Sequence, residues 1–315
     1  MDKKDLLQRD KFIENTQKYI QLFLEDNKNA SIAIDGRWGC GKTFVVKSLI
    51  NEFDIMKCQD DDTIEKKRYF VSYYNSWEYD YYDEPLVAII NNLLETVEKF
   101  NAKVKDEDFL KTTKIKKFFN TFGETLSDVL QHFSGINLKE IKDNTLGLTK
   151  KYDKNADLQD VIFKLQEKIK VITRYIPLVI VVDELDRCVP SYAIKVLERL
   201  HHVFDGLENV VLLVAIDKLQ LERSIETLYG VKVDTERYLK KFFDITLCLD
   251  EGNLIENWVV EYESQLFNQF KSRNMFYEYG KYYPEMVRFV QELLDTIEIR
   301  SREKIIEKAI LVSNV

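Results

Sequence analysis

The sequence predicts an α/β protein: a parallel sheet of five strands with helices on both faces, followed by a C-terminal helical lid. Two kinds of segment predict this class. Short apolar runs such as "LVIVVD" and "VVLLVAID" have the length and composition of strands buried on both faces of a sheet. Longer segments with apolar residues at helical spacing separate these runs, which is typical of parallel strands joined by helices.

Length, charge and cysteine content narrow the class of protein. The chain has 315 residues, of which 45% are hydrophobic, enough for one sizeable core and a smaller second unit. Its net charge of -8 disfavours nucleic-acid binding, which usually needs a basic surface. Four scattered cysteines, without C-x-x-C spacing, favour a reduced, cytoplasmic protein with neither disulfides nor zinc. No run of 18 apolar residues occurs, so no transmembrane segment is expected.

The first half of the chain alternates helices and strands. The predicted elements are a helix within 1–30, a strand at 31–34, a helix at 42–53, a strand at 69–74 and a helix at 86–100. An acidic, aromatic loop, "NSWEYDYYDEP", joins the last two. Its tyrosines and Trp77 could stack on a base or could simply pack. The Lys-rich and Asp-rich residues 101–157 are predicted to be a polar helical insert.

The second half continues the alternation and then becomes helical. The predicted elements are a helix at 158–173, a strand at 178–182, a helix at 191–204, a strand at 209–217, a helix at 218–230 and, within 237–250, a short helix followed by a last strand. Residues 251–315 contain three amphipathic segments and no convincing strand. We therefore expect one α/β domain at 1–250 and a helical lid at 251–315.

A glycine-rich motif joins the first strand to the second helix. Three of the ten glycines fall within six residues, in Gly36-x4-Gly41-Lys42-Thr43. This is a full G-x-x-x-x-G-K-[ST] phosphate loop in its strand–turn–helix context. Glycines let backbone N–H groups approach phosphate, and the helix N-terminus adds its own donors and dipole. The lysine is predicted to reach the β- and γ-phosphates, and the threonine hydroxyl to ligate Mg²⁺.

The predicted nucleotide-binding residues are the loop and the first turn of the helix. Trp38 and Cys40 are not required by phosphate chemistry; Trp38 could pack the loop, and Cys40 has no assigned role. The set is Gly36, Arg37, Trp38, Gly39, Cys40, Gly41, Lys42, Thr43 and Phe44.

An acidic segment supplies the second half of the predicted site. Asp183 and Glu184 end an unbroken apolar run, and the carboxyl ends of parallel strands face the ligand crevice. Asp183 is predicted to hold Mg²⁺ directly or through water, and Glu184 to polarise an attacking water. Arg187 could neutralise Asp186 or approach a γ-phosphate of this or a neighbouring subunit.

A third strand end and the missing guanine motif complete the prediction. Asp217 ends the strand expected to lie between the loop strand and the acidic strand, where a polar residue can sense the γ-phosphate. It is therefore predicted to be catalytic, with Glu184 and Lys42. The chain has no N-K-x-D segment, the usual guanine reader, so ATP is the predicted nucleotide.

These segments together resemble the KAP family of P-loop NTPases over most of the chain. The resemblance lies in "GRWGCGKT", "YYNSWEY", "VVDELDRC", "VAIDKLQLERSI", "YLKKFFDITL" and "IRSREKI". It implies a P-loop NTPase fold with a lid whose arginine faces the nucleotide. On this chain that residue would be Arg302, with Arg300 as the substitute. The family is also linked to phage exclusion and to signalling scaffolds.

Two features depart from the family pattern. Many KAP proteins carry transmembrane helices between the phosphate loop and the acidic strand, whereas residues 101–157 are too polar to span a bilayer. Glu184 stands where the family often has Asp, and glutamate is the usual water-orienting residue in related ATPases. The second departure makes hydrolysis more credible.

Three functions remain as hypotheses. The first is an Mg²⁺-dependent ATPase that drives a conformational or assembly change in antiphage defence. The second is a nucleotide-gated signalling scaffold with little turnover; the third, a nucleic-acid translocase, is disfavoured by the net charge of -8. A protein partner or self-association is expected. Arginines that could complete a neighbour's site are Arg187, Arg223 and Arg237.

Overall fold

The structure, a computed structural model, describes residues 9–53, 69–104, 120–124, 126–127, 158–174, 176–249 and 305. Within these ranges five strands form one sheet in which every pair of neighbours is parallel. The strands are β1 (Ala30–Asp35), β2 (Phe70–Asn75), β3 (Leu178–Asp183), β4 (Val210–Ile216) and β5 (Ile245–Cys248). Their order across the sheet is β2-β3-β4-β1-β5.

Helices connect the strands along the described parts of the chain. They are α1 (Asp10–Glu25), α2 (Lys42–Phe53), α3 (Pro85–Val104), α4 (Leu158–Thr173), α5 (Pro190–Phe204), α6 (Lys218–Tyr229) and α7 (Thr235–Leu239). Two 3₁₀ turns, Ser76–Tyr79 and Leu185–Arg187, follow β2 and β3. The predicted fold class is confirmed, including the position of β4 between β1 and β3.

The central strands are buried on both faces, as their unbroken apolar sequences predict. All six residues of β3 and all seven of β4 are buried. Alternate side chains enter two separate hydrophobic clusters: Ile180 and Leu212 lie in one, and Val181 and Leu213 in the other. Helices α3 to α6 cover the first cluster, whereas α1 and α2 cover the second. The sheet therefore separates two cores, which is the layered arrangement that positions its carboxyl edge.

Polar residues collect at the carboxyl edge of this sheet. Asp35 and Asp183 are the last residues of β1 and β3, and Asp217 directly follows β4. The register pairs Asn75 of β2 with Asp183 of β3. Because all strands point the same way, these side chains meet at one edge, where open α/β sheets bind ligands.

Two predicted regions fall mostly outside the described residues. The insert at 101–157 is one. Helix α3 continues to Val104 and so extends four residues beyond residue 100, where the insert was predicted to follow. The lid at 251–315 is the other; only Ile305 of it is described, so the division into two domains stays a prediction. Among the helices of the described ranges, none combines the length and apolar character that a bilayer crossing needs.

Candidate nucleotide-binding site

The phosphate loop connects β1 to α2 through a turn that glycine makes possible. Gly39 and Gly41 have φ angles of 86° and 94°, in the left-handed region that other residues rarely adopt. Helix α2 begins directly afterwards at Lys42. The N–H groups of Lys42, Thr43 and Phe44 have no carbonyl partner within the helix, so they are available to an anion.

Close packing at the start of the loop gives Gly36 and Cys40 a structural explanation. A Cβ added to Gly36 would lie 2.5 Å from the Cys40 Sγ, so no larger residue fits without a shift. Cys40 is 1% exposed, and its carbonyl accepts a 2.8 Å hydrogen bond from the Arg9 guanidinium. Arg9 precedes α1 and is itself buried. The loop is therefore held by close packing of Gly36 against Cys40 and by the hydrogen bond from Arg9, a residue that sequence reasoning missed.

Lys42 is buried inside the loop, and its ammonium group has three anionic or polar neighbours. The Nζ donates to the Gly36 carbonyl at 2.6 Å and to the Arg37 carbonyl at 3.3 Å. It also lies 3.7 Å from the Asp186 carboxylate. A lysine has three N–H donors, so phosphate must replace at least one of these neighbours.

The acidic turn, which we define as Asp183 to Cys188, has a backbone conformation that is unusual for its sequence. Glu184 has φ 59° and ψ 25°, a left-handed conformation at a non-glycine residue. Its N–H donates to the Asp183 Oδ1 at 2.9 Å, which stabilises this conformation. Such outliers persist where the surroundings fix them, and they cluster at functional sites.

Asp183 is held from both sides by its neighbours. Asp183 is 1% exposed, and its Oδ2 accepts a 3.2 Å hydrogen bond from the Tyr73 hydroxyl of β2. Burial and the Asp183 charge raise the pKa of Tyr73, so the hydroxyl keeps its proton and remains a donor. Sequence reasoning missed Tyr73 because alternation along β2 predicts only which face a tyrosine occupies.

Arg187 does not neutralise Asp186 in this structure. It forms an ion pair with Glu184 instead, and its guanidinium lies over the Trp77 ring, 5.4 Å from the ring centroid. Burial and the Asp183 charge raise the pKa of Glu184, whereas Arg187 opposes that shift. A raised pKa brings a carboxylate closer to the range of a general base that works near neutral pH.

Asp186 instead faces the phosphate loop. Its side chain is 3% exposed, and its Oδ2 accepts a 2.5 Å hydrogen bond from the Trp38 indole N–H. The same oxygen lies 3.7 Å from Lys42 Nζ. Trp38 is 50% exposed, so its role here is to donate to the acidic turn rather than to fill the core.

Asp217 lies beside the loop and caps the next helix. Its side chain accepts from Gln220 N–H at 3.2 Å, at the N-terminus of α6, and its residue is 6% exposed. An open cavity of about 510 Å³ brings it together with Gly36 and Arg37 of the loop and with Asp35. Its predicted role as a γ-phosphate sensor stays a prediction.

The remaining predicted site residues fall into three groups. Thr43 and Phe44 are partly buried on the first turn of α2, and Arg37 is exposed on the loop. Arg223 and Arg237 are exposed on α6 and α7. Arg302 and its substitute Arg300 lie outside the described residues, so their role as lid arginines stays a prediction.

The donors present are compatible with Mg²⁺. In the described part of the chain no cluster of three or more His, Cys, Asp or Glu side chains could hold a metal ion. Mg²⁺ characteristically uses one or two protein oxygens and completes its shell with water and substrate phosphates. The Asp183 carboxylate has accepted two hydrogen bonds and can accept more, and Thr43 supplies a hydroxyl at the phosphate loop.

The aromatic loop after β2 is mostly packing. Tyr79 stacks on the buried Tyr74 with ring centroids 5.2 Å apart, and Tyr79 and Tyr82 pack against the core. Trp77 is 52% exposed beneath the Arg187 guanidinium. Of the two interpretations of this loop, packing therefore holds for Tyr79 and Tyr82, whereas Tyr81 is exposed and Trp77 contacts the acidic turn.

A glycine-rich loop at a helix N-terminus, with acids at the neighbouring strand ends, defines a P-loop nucleotide-binding protein. The sequence profile of the KAP family P-loop domain matches residues 9–257. The chain therefore belongs to the KAP family of P-loop NTPases, which confirms the resemblance.

No curated protein sequence matches the chain. The solved structures to which the chain is similar include the Walker-type ATPase PABY2304 of Pyrococcus abyssi, with 10% identity and a TM-score of 0.39. The match covers 88% of the present chain and 65% of that chain.

Proposed function

We propose that this KAP-family protein binds ATP with Mg²⁺, hydrolyses it, and uses the nucleotide state as a conformational or assembly switch. The observation that carries the proposal is the meeting of Lys42 with the acidic turn, where Asp186 lies 3.7 Å from the Lys42 ammonium. Glu184 and Asp183 belong to the same short turn. Phosphate, metal and water ligands would therefore converge on one small region.

In the proposed reaction the chain's own residues position the phosphates and the metal and polarise the attacking water. Lys42 and the first-turn N–H groups of α2 hold the β- and γ-phosphates, and Asp183 with Thr43 holds the metal. Mg²⁺, when bound, neutralises phosphate charge. Glu184 accepts a proton from the attacking water, which requires its carboxylate to leave Arg187.

The first test is phosphate release from ATP by the full chain. The wild type should hydrolyse ATP in the presence of Mg²⁺ and lose this activity in EDTA. Lys42→Ala should lose both ATP hydrolysis and ATP binding. Lys47→Ala, an exposed lysine on the same helix, is the matched control and should behave as the wild type. Equal turnover of wild type and Lys42→Ala would contradict the proposal.

The switch and its biological role need separate tests. Particle size measured with ADP, ATP or no nucleotide should change with nucleotide, most clearly for Glu184→Gln, which would hold ATP. The family link to phage exclusion supports a role in antiphage defence. Expression in a phage-sensitive bacterium should lower plating efficiency with the wild type and not with Lys42→Ala.

A second candidate is a nucleotide-gated scaffold with negligible turnover. The observation that favours it is the ion pair of Glu184 with Arg187, because a paired carboxylate is a weaker base. Tight ADP or ATP binding without phosphate release above background would favour the scaffold over the ATPase. Multiple turnovers at saturating ATP would exclude it.

A further inference from the structure

The acidic turn contains one carboxylate to which the proposed reaction gives no role. The Asp186 side chain is 3% exposed, yet it belongs neither to the proposed metal ligands nor to the proposed base. A buried carboxylate is costly unless it is paired and hydrogen-bonded. Both of its partners, Trp38 and Lys42, come from the phosphate loop.

The location of this carboxylate puts it in competition with phosphate. The Lys42 side chain is 9% exposed and lies 3.7 Å from the Asp186 Oδ2, so water screens the pair poorly. A bound nucleotide brings more negative charge to the same ammonium group. Two anions at one buried cation repel each other, and the phosphates must therefore displace Asp186 or bind against its charge.

We propose that Asp186 is an internal anion that occupies the Lys42 ammonium and restrains nucleotide binding, with Trp38 as the residue that holds it there; we call this contact of Asp186 with Lys42 and Trp38 the latch. This inference rests on the proposed function of Lys42. When phosphate displaces Asp186, the carboxylate also leaves the Trp38 indole N–H. Nucleotide binding is thereby coupled to a half-exposed tryptophan at the protein surface.

The same turn restrains the proposed base. Arg187 follows Asp186 directly, pairs with Glu184 and lies over Trp77. Asp186 and Arg187 belong to one 3₁₀ turn, so a displacement of Asp186 that shifts this turn also moves Arg187. Entry of phosphate at Lys42 would thus loosen the ion pair at Glu184.

The test is calorimetric titration of the full chain with ADP, once in EDTA and once with Mg²⁺. Asp186→Asn removes the charge but retains an oxygen that can accept from Trp38. We expect about tenfold tighter ADP binding than in the wild type under both conditions, a change within the range measured for close, desolvated charge pairs. Asp83→Asn, an exposed acid at the same edge of the sheet, should leave ADP affinity unchanged.

A second variant tests the latch by a change in the phosphate loop. Trp38→Phe keeps an aromatic ring but removes the N–H donor to Asp186, so ADP binding should tighten by about two- to threefold. This variant does not alter the acidic turn, which protects the test against misfolding of Asp186→Asn. Thermal unfolding without nucleotide checks the fold of both variants.

The outcomes separate the latch from the proposed function. If the wild type binds ADP and neither variant binds it tighter, the latch is wrong and the proposed function stands. Weaker binding by Asp186→Asn would instead make Asp186 a residue that positions Lys42 and would also overturn the latch. If neither the wild type nor the variants bind ADP, both proposals fail.

Discussion

The phosphate loop and the acidic turn make the same kind of connection with different residues. Each follows a buried parallel strand and precedes a helix, and each contains left-handed backbone. In the loop, glycines adopt that conformation, at φ 86° and 94°. In the acidic turn Glu184 adopts it, at φ 59°.

The difference follows from how each connection meets its ligand. The loop offers backbone N–H groups to the ligand, so glycine is the least strained choice at its left-handed positions. The turn must offer carboxylates, so a residue with a side chain adopts a conformation that costs about 1–2 kcal/mol. The loop would therefore be sensitive to added atoms, and the turn to changes of charge.

The largest effect is expected from a charge change in the turn. Glu184→Gln should lower ATP turnover by about 10²- to 10⁴-fold, because an amide cannot accept the proton of water. Nucleotide affinity should change little. Parallel measurements of phosphate release and ADP binding check both, with the exposed Glu208→Gln as control. Retention of turnover by Glu184→Gln would remove Glu184 as the base.

An added methyl group in the loop should have the next largest effect. Gly41→Ala should lower kcat/KM on the order of a hundredfold, because the φ of 94° and hence the N–H directions shift. It should also cost about 1 kcal/mol of folding free energy.

Gly230→Ala is the matched control for that experiment. Gly230 has φ 89° at the end of α6, with nothing within 4 Å of an added Cβ. Its substitution should cost similar folding free energy in urea denaturation without any loss of kcat/KM. A similar loss of activity in both variants would mean that instability, not loop geometry, explains the effect.

Removal of the hydroxyl that supports the turn from β2 should have a smaller effect. Tyr73→Phe deletes the donor to Asp183 and should raise the Mg²⁺ concentration for half-maximal turnover about tenfold. A magnesium titration of ATP turnover measures this, and the exposed Tyr81→Phe should match the wild type. An unchanged magnesium requirement would argue against Asp183 as the metal ligand that Tyr73 orients.

The smallest effect is expected from variants that separate the backbone conformation of Glu184 from its charge. Glu184→Asn should be about 0.5–1 kcal/mol more stable than Glu184→Gln, because asparagine tolerates left-handed backbone better. Both variants should be equally inactive, and urea denaturation compares their folding free energies. Lower stability of the asparagine variant would show that the φ of 59° stores little strain.

Local patterns in the sequence determined most of the fold. Unbroken apolar runs predicted the buried strands β3 and β4, and the G-x-x-x-x-G-K-[ST] spacing predicted the loop between β1 and α2. Both signals are local because strand burial and loop conformation depend on neighbouring residues. The position of β4 between β1 and β3 was predicted from Asp217, the polar residue at the end of that strand.

Only the tertiary structure decided which side chains meet at the carboxyl edge. Trp38 and Asp186 lie 148 positions apart in sequence, and Tyr73 and Asp183 lie 110 apart. Arg187 pairs with Glu184 rather than with Asp186; Glu184 is left-handed and precedes the 3₁₀ turn that carries Arg187. Sequence periodicity reports which face a residue occupies, but a contact across the sheet depends on how separate strand ends and turns are oriented when they pack together.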